Sequence, residues 1–225
     1  GIMNETDFRF NTDVMDKNIK HDLKVGFKYH YDYHHRDQQK HNFTQAVGGL
    51  ITAHADGVTY SDDRKETTRG YVGYIEEKAK IDNVTLSLGG RFEYMKMHYR
   101  DKAATMGTTS NLEEDIYAFA PGGGILYDHN DNLQFFFGAY KGFNVPSPGS
   151  ARDDGTPVEK ETSLAKEVGF RYMDSNFLLT LTGFHTDFEN LIVINNSNSD
   201  SVPDNAGNVI TKGLEFQTRY KPENV

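Results

Sequence analysis

The stretch LKVGFKYHYDYHH, residues 23–35, alternates without a break. Leu23, Val25, Phe27, Tyr29, Tyr31 and Tyr33 fall on one side, and Lys24, Gly26, Lys28, His30 and Asp32 on the other. A period of two is the mark of a β-strand with one apolar and one polar face. The fold turns on which face is inside. In a water-soluble sheet the apolar face packs on a core. In an outer-membrane barrel it points into lipid, and the polar face lines the lumen.

Composition narrows the choice. The chain has 225 residues, no Cys, 13 Tyr, 15 Phe and 21 Gly, and 36% of it is hydrophobic. So many aromatics argue against disorder, and the absence of Cys removes disulfides and thiolate metal sites. The net charge of −9 argues against a general nucleic-acid binder. No run approaches the ~18–20 apolar residues of a membrane helix, but a barrel strand needs only ~9–11 residues of alternating polarity. No signal peptide opens the sequence, and both ends read as internal to a longer protein.

The alternation recurs along the chain. Strands are predicted at about 8–15, 23–35, 67–81, 84–100, 116–127, 133–143, 163–173, 177–188 and 212–220, nine in all. The connections alternate too. Short ones (DKNIKHD, Asp82-Asn83, DHNDN, Asp174-Ser175-Asn176) separate long polar ones at 34–66, 101–115, 144–161 and 189–211. All short turns then lie on one rim and all long loops on the other, as in a bacterial outer-membrane barrel. The fourth strand supports lipid as the apolar solvent. Val84, Leu86, Leu88, Gly90, Phe92 and Tyr94 share one face; Thr85, Ser87, Gly89, Arg91 and Glu93 share the other. Arg91 and Glu93 would be costly in a soluble core but cost little in a wet lumen. Beyond Tyr94 the outward face turns to Lys96 and His98, as at an aromatic interface girdle. In the sixth strand, LQFFFGAYKGF, Phe136 and Tyr140 fall on the polar side and read as lumen aromatics.

From 67 to 220 the phrases follow a familiar order. They are YIEEKAKIDNVTLSLGGRFEY, FAPGGGILYDHNDNLQFFFGAYKGFNVPSPGS, VEKETSLAKEVGFRY with FLLTLTGFHTDFENLI, and NAGNVITKGLEFQTRY. Together they resemble the barrel of TonB-dependent outer-membrane receptors. The resemblance implies an all-β, antiparallel up-and-down transmembrane barrel of ~22 strands with a plugged lumen, of which residues 1–225 are an internal portion. A plug domain, a TonB-binding segment and a C-terminal strand ending in an aromatic are not found in the sequence. It further implies bacterial outer-membrane localisation and outer-membrane lipid as surroundings. It implies coupling to the TonB–ExbB–ExbD complex through an N-terminal part lying elsewhere, and a ferric siderophore or ferric citrate as transported ligand rather than a resident cofactor. A passive pore or adhesin barrel, and a soluble all-β binding domain, are the alternatives.

Candidate chemistry concentrates at the long-loop rim. An anionic ferric chelate would suit Arg and aromatic side chains there, which nominates Arg36, Arg69, Tyr99, Arg100, Tyr140 and Arg152. The run YHYDYHHRDQQKH brings His30, His34, His35 and His41 into question as metal ligands, against the plain reading of a strand entering a solvated loop; His34 and His35, as neighbours, point to opposite faces. The acidic pairs Asp62-Asp63, Glu76-Glu77, Glu113-Glu114 and Asp153-Asp154 read as solvated surface. Gly122–Gly124 lacks the Lys-Ser/Thr of a phosphate loop. No nucleophile elbow is present, so no enzyme is expected.

Overall fold

A computed structural model describes residues 1–41, 43–49, 51–53, 59–102, 110–152, 155–195 and 202–222. Its strands in chain order are β1 (Ile2–Val14), β2 (Lys17–Lys40), β3 (Phe43–Gln45), β4 (Ile51–Ala53), β5 (Thr59–Ile81), β6 (Val84–Asp101), β7 (Ser110–Asp128), β8 (Leu133–Asn144), β9 (Glu161–Met173), β10 (Phe177–Glu189), β11 (Ile192–Asn195), β12 (Val202–Asn205) and β13 (Val209–Tyr220). Nine of them form a single antiparallel sheet in the order β1-β2-β5-β6-β7-β8-β9-β10-β13. Each sheet strand lies beside its predecessor, as in an up-and-down barrel wall that this stretch does not close. The remaining two pairs, β3–β4 and β11–β12, are small hairpins carried in long connections.

Several predicted limits move. The segment Lys17–Asp22 continues β2, so the first turn is only Met15-Asp16, both at positive φ (51° and 60°), the twist that a two-residue hairpin needs. Segment 34–66 was expected to be loop. In fact β2 and β5 stay paired from His34↔Glu66 to Lys40↔Thr59, with a bulge between Gln38 and Gln39. Both faces of that extension are polar, so no alternation marked it as strand. Likewise β7 starts at Ser110 rather than 116. At the short-turn rim, Asp82 takes φ 50°. Asp174 Oδ1 accepts from the backbone N–H of Asn176 (2.9 Å) and Phe177 (2.8 Å), and Asn130 Oδ1 does the same for Asn132 and Leu133 (both 2.9 Å). A short polar side chain thus replaces the missing strand partner at these last two turns.

The register confirms the facing. Leu88 is 70% and Leu214 79% exposed, and Phe119 and Phe216 lie on the same outward side. Tyr29, Tyr71, Tyr94 and Tyr117 occupy one cross-strand row through β2, β5, β6 and β7, with ring centroids 5.1, 5.9 and 4.8 Å apart. Such a row fits the boundary of lipid and water, where amphipathic rings settle. Toward the turn rim the outward face carries a polar interruption. His21 lies between Thr12 Oγ1 (2.8 Å from Nε2) and Glu77 Oε1 (2.6 Å from Nδ1), and Phe10 stacks on its ring at 4.6 Å. The network ties β1, β2 and β5 and leaves neither His21 nor Glu77 unpaired on that face.

The sheet is stitched unevenly. β6 and β7 match over 18 residue pairs, from Val84↔Tyr127 to Asp101↔Ser110. β7 and β8 match over only 7, ending at Gly122↔Tyr140. Pro121 sits just past that end and brings no N–H to a ladder. Above it, Lys160 Nζ donates to the carbonyl of Tyr117.

Candidate functional site

The polar residues of the alternation converge on the inner face of the sheet. There Glu5, Lys24, Lys28, Tyr74, Arg91 and Tyr140 border an open trough of about 610 Å³. Lys24 Nζ lies 3.1 Å from Glu5 Oε1, and the Tyr74 hydroxyl donates to the same carboxylate. The Tyr74 ring lies over Gly26, where a Cβ would collide with it, so this glycine is required by packing. Arg91 pairs with Glu93, which is buried. Lys28 has no acidic partner among the described residues. Tyr140 rests over Gly122 with half its surface open; Phe136, the other lumen aromatic, packs on Gly169. The trough therefore offers an uncommitted ammonium, a guanidinium and two phenols to whatever fills the lumen.

Above the trough the inner face becomes apolar, which alternation through Glu93 did not foretell. Met95, Met97 and Ile116 form a buried cluster, with Phe143 and Val145 packed against it. Val158, 1% exposed, belongs to the same connection between β8 and β9. That connection folds inward, and Gly149 meets the Tyr99 ring. Burial pushes the Tyr99 hydroxyl pKa up, and the Asp101 carboxylate adds to it. Higher still, an ionic chain crosses β2 and β5: His34–Glu66 (3.5 Å), Glu66–Arg64 (3.2 Å), Arg64–Asp62 (3.6 Å) and Asp62–Arg36 (3.1 Å).

A second junction joins two long connections through Asn205. Its Oδ1 accepts from Arg152 Nη2 (2.6 Å) and from Glu159 N–H (2.9 Å). Its Nδ2 donates to the carbonyls of Glu159 (3.0 Å) and Asn190 (2.8 Å). Arg152 also lies 3.2 Å from Asp204. The side chain uses its full hydrogen-bonding capacity, and it ties Arg152 and Glu159 of one long connection to Asn190 and Asn205 of the next.

These placements sort the residues expected from sequence. Tyr99 and Tyr140 face inward, and Arg36 faces inward but is held by Asp62. Arg152 is built into the Asn205 junction. Arg69 and Arg100 stand on the opposite face. Arg69 shares a row with Tyr31 and Lys96, and Arg100 one with Lys65, so strand parity turns both away from the lumen. The metal reading does not assemble either: among the described residues no three His, Cys, Asp or Glu side chains gather around a common point. His30 lies 3.3 Å from Asp32 and His34 pairs with Glu66, while His35 faces the other way beside Asp63 and His41 neighbours Phe43. Sequence reasoning placed Lys28 and Arg91 in the lumen but did not nominate them; strand parity with the trough's position identifies them. Asn205 carried no signal apart from the phrase that contains it.

The geometry has counterparts among known proteins. The ferric citrate transporter FecA in its unliganded form matches with a TM-score of 0.69 and 22% identity over 96% of this chain, which covers 31% of that protein. The siderophore receptor PiuA from Acinetobacter baumannii gives 0.68 and 12% over 99%, covering 36% of PiuA. The copper transporter OprC gives 0.64 and 13% over 99%, covering 35% of OprC. The chain spans about a third of each, and at these identities the likeness is one of fold. The family model described as "TonB dependent receptor-like, beta-barrel" matches residues 2–222. An outward apolar face, an inward polar trough and short turns opposite long loops complete the same picture, and the chain belongs to the TonB-dependent receptor β-barrels of the bacterial outer membrane.

Proposed function

We propose that this chain supplies nine strands of a ~22-stranded receptor barrel, and that the complete receptor imports a ferric chelate, a siderophore complex or ferric citrate. A plug domain lying outside these residues fills the lumen in this reading, and the TonB–ExbB–ExbD complex drives its rearrangement. The role is transport rather than catalysis. The observation that carries the reading is the inner trough, where Lys28, Arg91, Tyr74 and Tyr140 stand together on an otherwise mixed polar wall. Cations and phenols suit ligands that present carboxylate or catecholate oxygens. FecA, a ferric citrate transporter, and PiuA, a siderophore receptor, favour iron, whereas OprC is a copper transporter of the same fold.

The test is uptake by cells that lack the full-length receptor. Radioiron is supplied as ferric citrate, a ferric catecholate or a ferric hydroxamate, with a copper salt in parallel. The expected result is loss of uptake for one ferric chelate, restored by the gene and abolished by a proton uncoupler. Unchanged uptake of every ferric chelate, or loss of copper uptake alone, refutes the iron reading. Restored uptake that persists in uncoupler refutes energy coupling and returns the passive pore.

A further inference from the structure

Near the turn rim the outward face holds an arrangement that the transport reading does not use. His21 Nδ1 lies 2.6 Å from Glu77 Oε1, and its Nε2 lies 2.8 Å from Thr12 Oγ1. An ionised carboxylate has no proton to give, so Nδ1–H donates to Glu77 and the neutral ring keeps Nε2 as acceptor for the Thr12 hydroxyl. A hydroxyl bonded to a base, with that base held by a carboxylate, is the order of nucleophile, general base and orienting group in acyl transfer. The three side chains come from β1, β2 and β5, and the Phe10 ring stacked on His21 at 4.6 Å fixes the imidazole plane. His21 and Glu77 already satisfy each other as a pair. The third member, Thr12, is exposed and adds a reactive oxygen on the open side of the base.

Depth identifies the substrate. At ~3.4 Å per residue and a tilt near 40°, a strand climbs about 2.6 Å per residue. The tyrosine row stands ten residues above the row of Ile19, Ile81 and Val84, about 26 Å up, which matches the ~25 Å apolar band. Thr12 is directly opposite Ile19 and therefore marks the lower edge of that band, on the side of the short periplasmic turns. One row nearer the rim, about 5 Å lower, stands Lys17, paired with Asp82. One and two rows above Thr12 the same face carries Phe10 and then Phe8 beside Leu23, with both rings about half exposed. A cation, a hydroxyl and an apolar track follow one another along β1–β2. The phosphate, the ester carbonyls and the acyl chains of a glycerophospholipid succeed one another in that order and over that span.

We propose that Thr12, His21 and Glu77 form a hydrolytic site that cleaves an acyl ester of a glycerophospholipid in the periplasmic leaflet. Thr12 Oγ1 attacks the ester carbonyl carbon while His21 Nε2 takes its proton. The carbon–oxygen bond to glycerol breaks, and the glycerol oxygen leaves with that proton, giving a lysophospholipid and an acyl ester on Thr12. Water of the headgroup layer then attacks the acyl carbon and gives a proton to His21. The Thr12 oxygen leaves and takes the proton back, releasing a fatty acid. One ester and one water become a lysophospholipid and a fatty acid, with no further reactant. Thr12 and His21 are the catalytic residues. Glu77 is a positioning residue that holds the tautomer and stabilises the imidazolium. The site faces away from the lumen and is independent of which ligand the lumen passes.

The test uses the purified full-length receptor in mixed micelles of a non-ionic detergent and palmitoyl-oleoyl-phosphatidylethanolamine, with free fatty acid measured by mass spectrometry. The natural protein is expected to release fatty acid at least about tenfold faster than Thr12→Val or His21→Phe, and Thr12→Ser to keep the activity. Glu77→Gln should lower kcat at least about tenfold with KM unchanged, and Glu77→Asp should restore part of it, a split that a purely structural loss would not produce. A hexadecyl fluorophosphonate probe, which loses fluoride to the attacking oxygen, should leave its phosphonyl group on Thr12 of the natural protein, mapped by peptide mass spectrometry. Equal release by the natural protein and Thr12→Val overturns the proposal. So does an unlabelled Thr12 in the natural protein, a reading that needs no variant to fold.

Discussion

Replacing Leu88 by Arg puts a cation on the outward face about 10 Å above the end of β6, near the middle of the apolar band. An Arg on the lipid side at midplane costs about 2–4 kcal/mol in such barrels. The register modifies that figure. Leu88 is directly opposite Glu77, whose carboxylate already accepts from His21 and has a further lone pair to give. A charge-assisted contact at that spacing recovers about 1–2 kcal/mol. Leu88→Arg alone should therefore cost about 1–2 kcal/mol, and Leu88→Arg with Glu77→Gln the full 2–4, beyond the effect of Glu77→Gln by itself. Ser87→Arg, one residue away but facing the trough, should cost under about 0.5 kcal/mol. Urea-driven equilibrium unfolding of the full-length receptor in lipid vesicles measures all four variants. Equal costs at positions 87 and 88 would refute the facing, and a coupling energy of zero between 77 and 88 would refute the register.

Asn205→Ala removes four hydrogen bonds and leaves the Glu159 N–H without a partner. It should destabilise the junction by about 2–4 kcal/mol, read as joint loss of hydrogen-exchange protection in 155–160 and 202–207; loss in one segment only would show they are not locked together. Gly26→Val drives a side chain into the Tyr74 ring and should lower stability by about 1–3 kcal/mol, whereas Gly73→Val, with open space around its Cβ position, should be tolerated; urea midpoints compare them. Lys28→Glu reverses the unpaired cation of the trough and should weaken binding of an anionic chelate at least about tenfold, measured as the concentration that half-saturates radioiron binding to whole cells. Asp174 is held below the usual carboxylate range by the backbone N–H groups of Asn176 and Phe177. Its folded pKa is the lower one, so its contribution is full above about pH 4 and is lost as pH falls through the folded value. Exchange at the Asn176 and Phe177 amides should accelerate in that acid window, and Asp174→Asn should remove the step.

The sheet was legible because lipid and lumen impose opposite demands on alternate residues. Val84 to Tyr94 shows that demand along β6, and the register bears it out. What lay beyond the band was hard to read for the same reason. Once water touches both faces, as from His34 to Lys40, alternation disappears although the hydrogen-bond ladder continues. Met95 and Met97 show the reverse, an inward apolar pair covered by Phe143 at the end of β8 and by Val145 from a connection with no period of its own. The functional residues follow this division. Tyr99 and Tyr140 could be placed by counting along their strands. Arg69 and Arg100 were grouped with the mouth by proximity to long loops, while parity, already available from Tyr71 and Tyr94, assigned them to the other side. Arg152 and Asn205 are 53 positions apart, and no local pattern announces a contact between two loops.

The unequal stitching around β7 has a mechanical outcome. A wall whose rungs number 18 on one side of a strand and 7 on the other does not share a sideways load evenly. Tension applied across it loads the β7–β8 joint hardest, from the Gly122 end downward, where the Lys160–Tyr117 contact and the packing of Phe143 and Val145 on the Met95–Met97–Ile116 cluster take over from the ladder. The weakest line in the cylinder is thus set by the reach of one ladder past a proline, and a pull from within would be felt there before anywhere else on this arc.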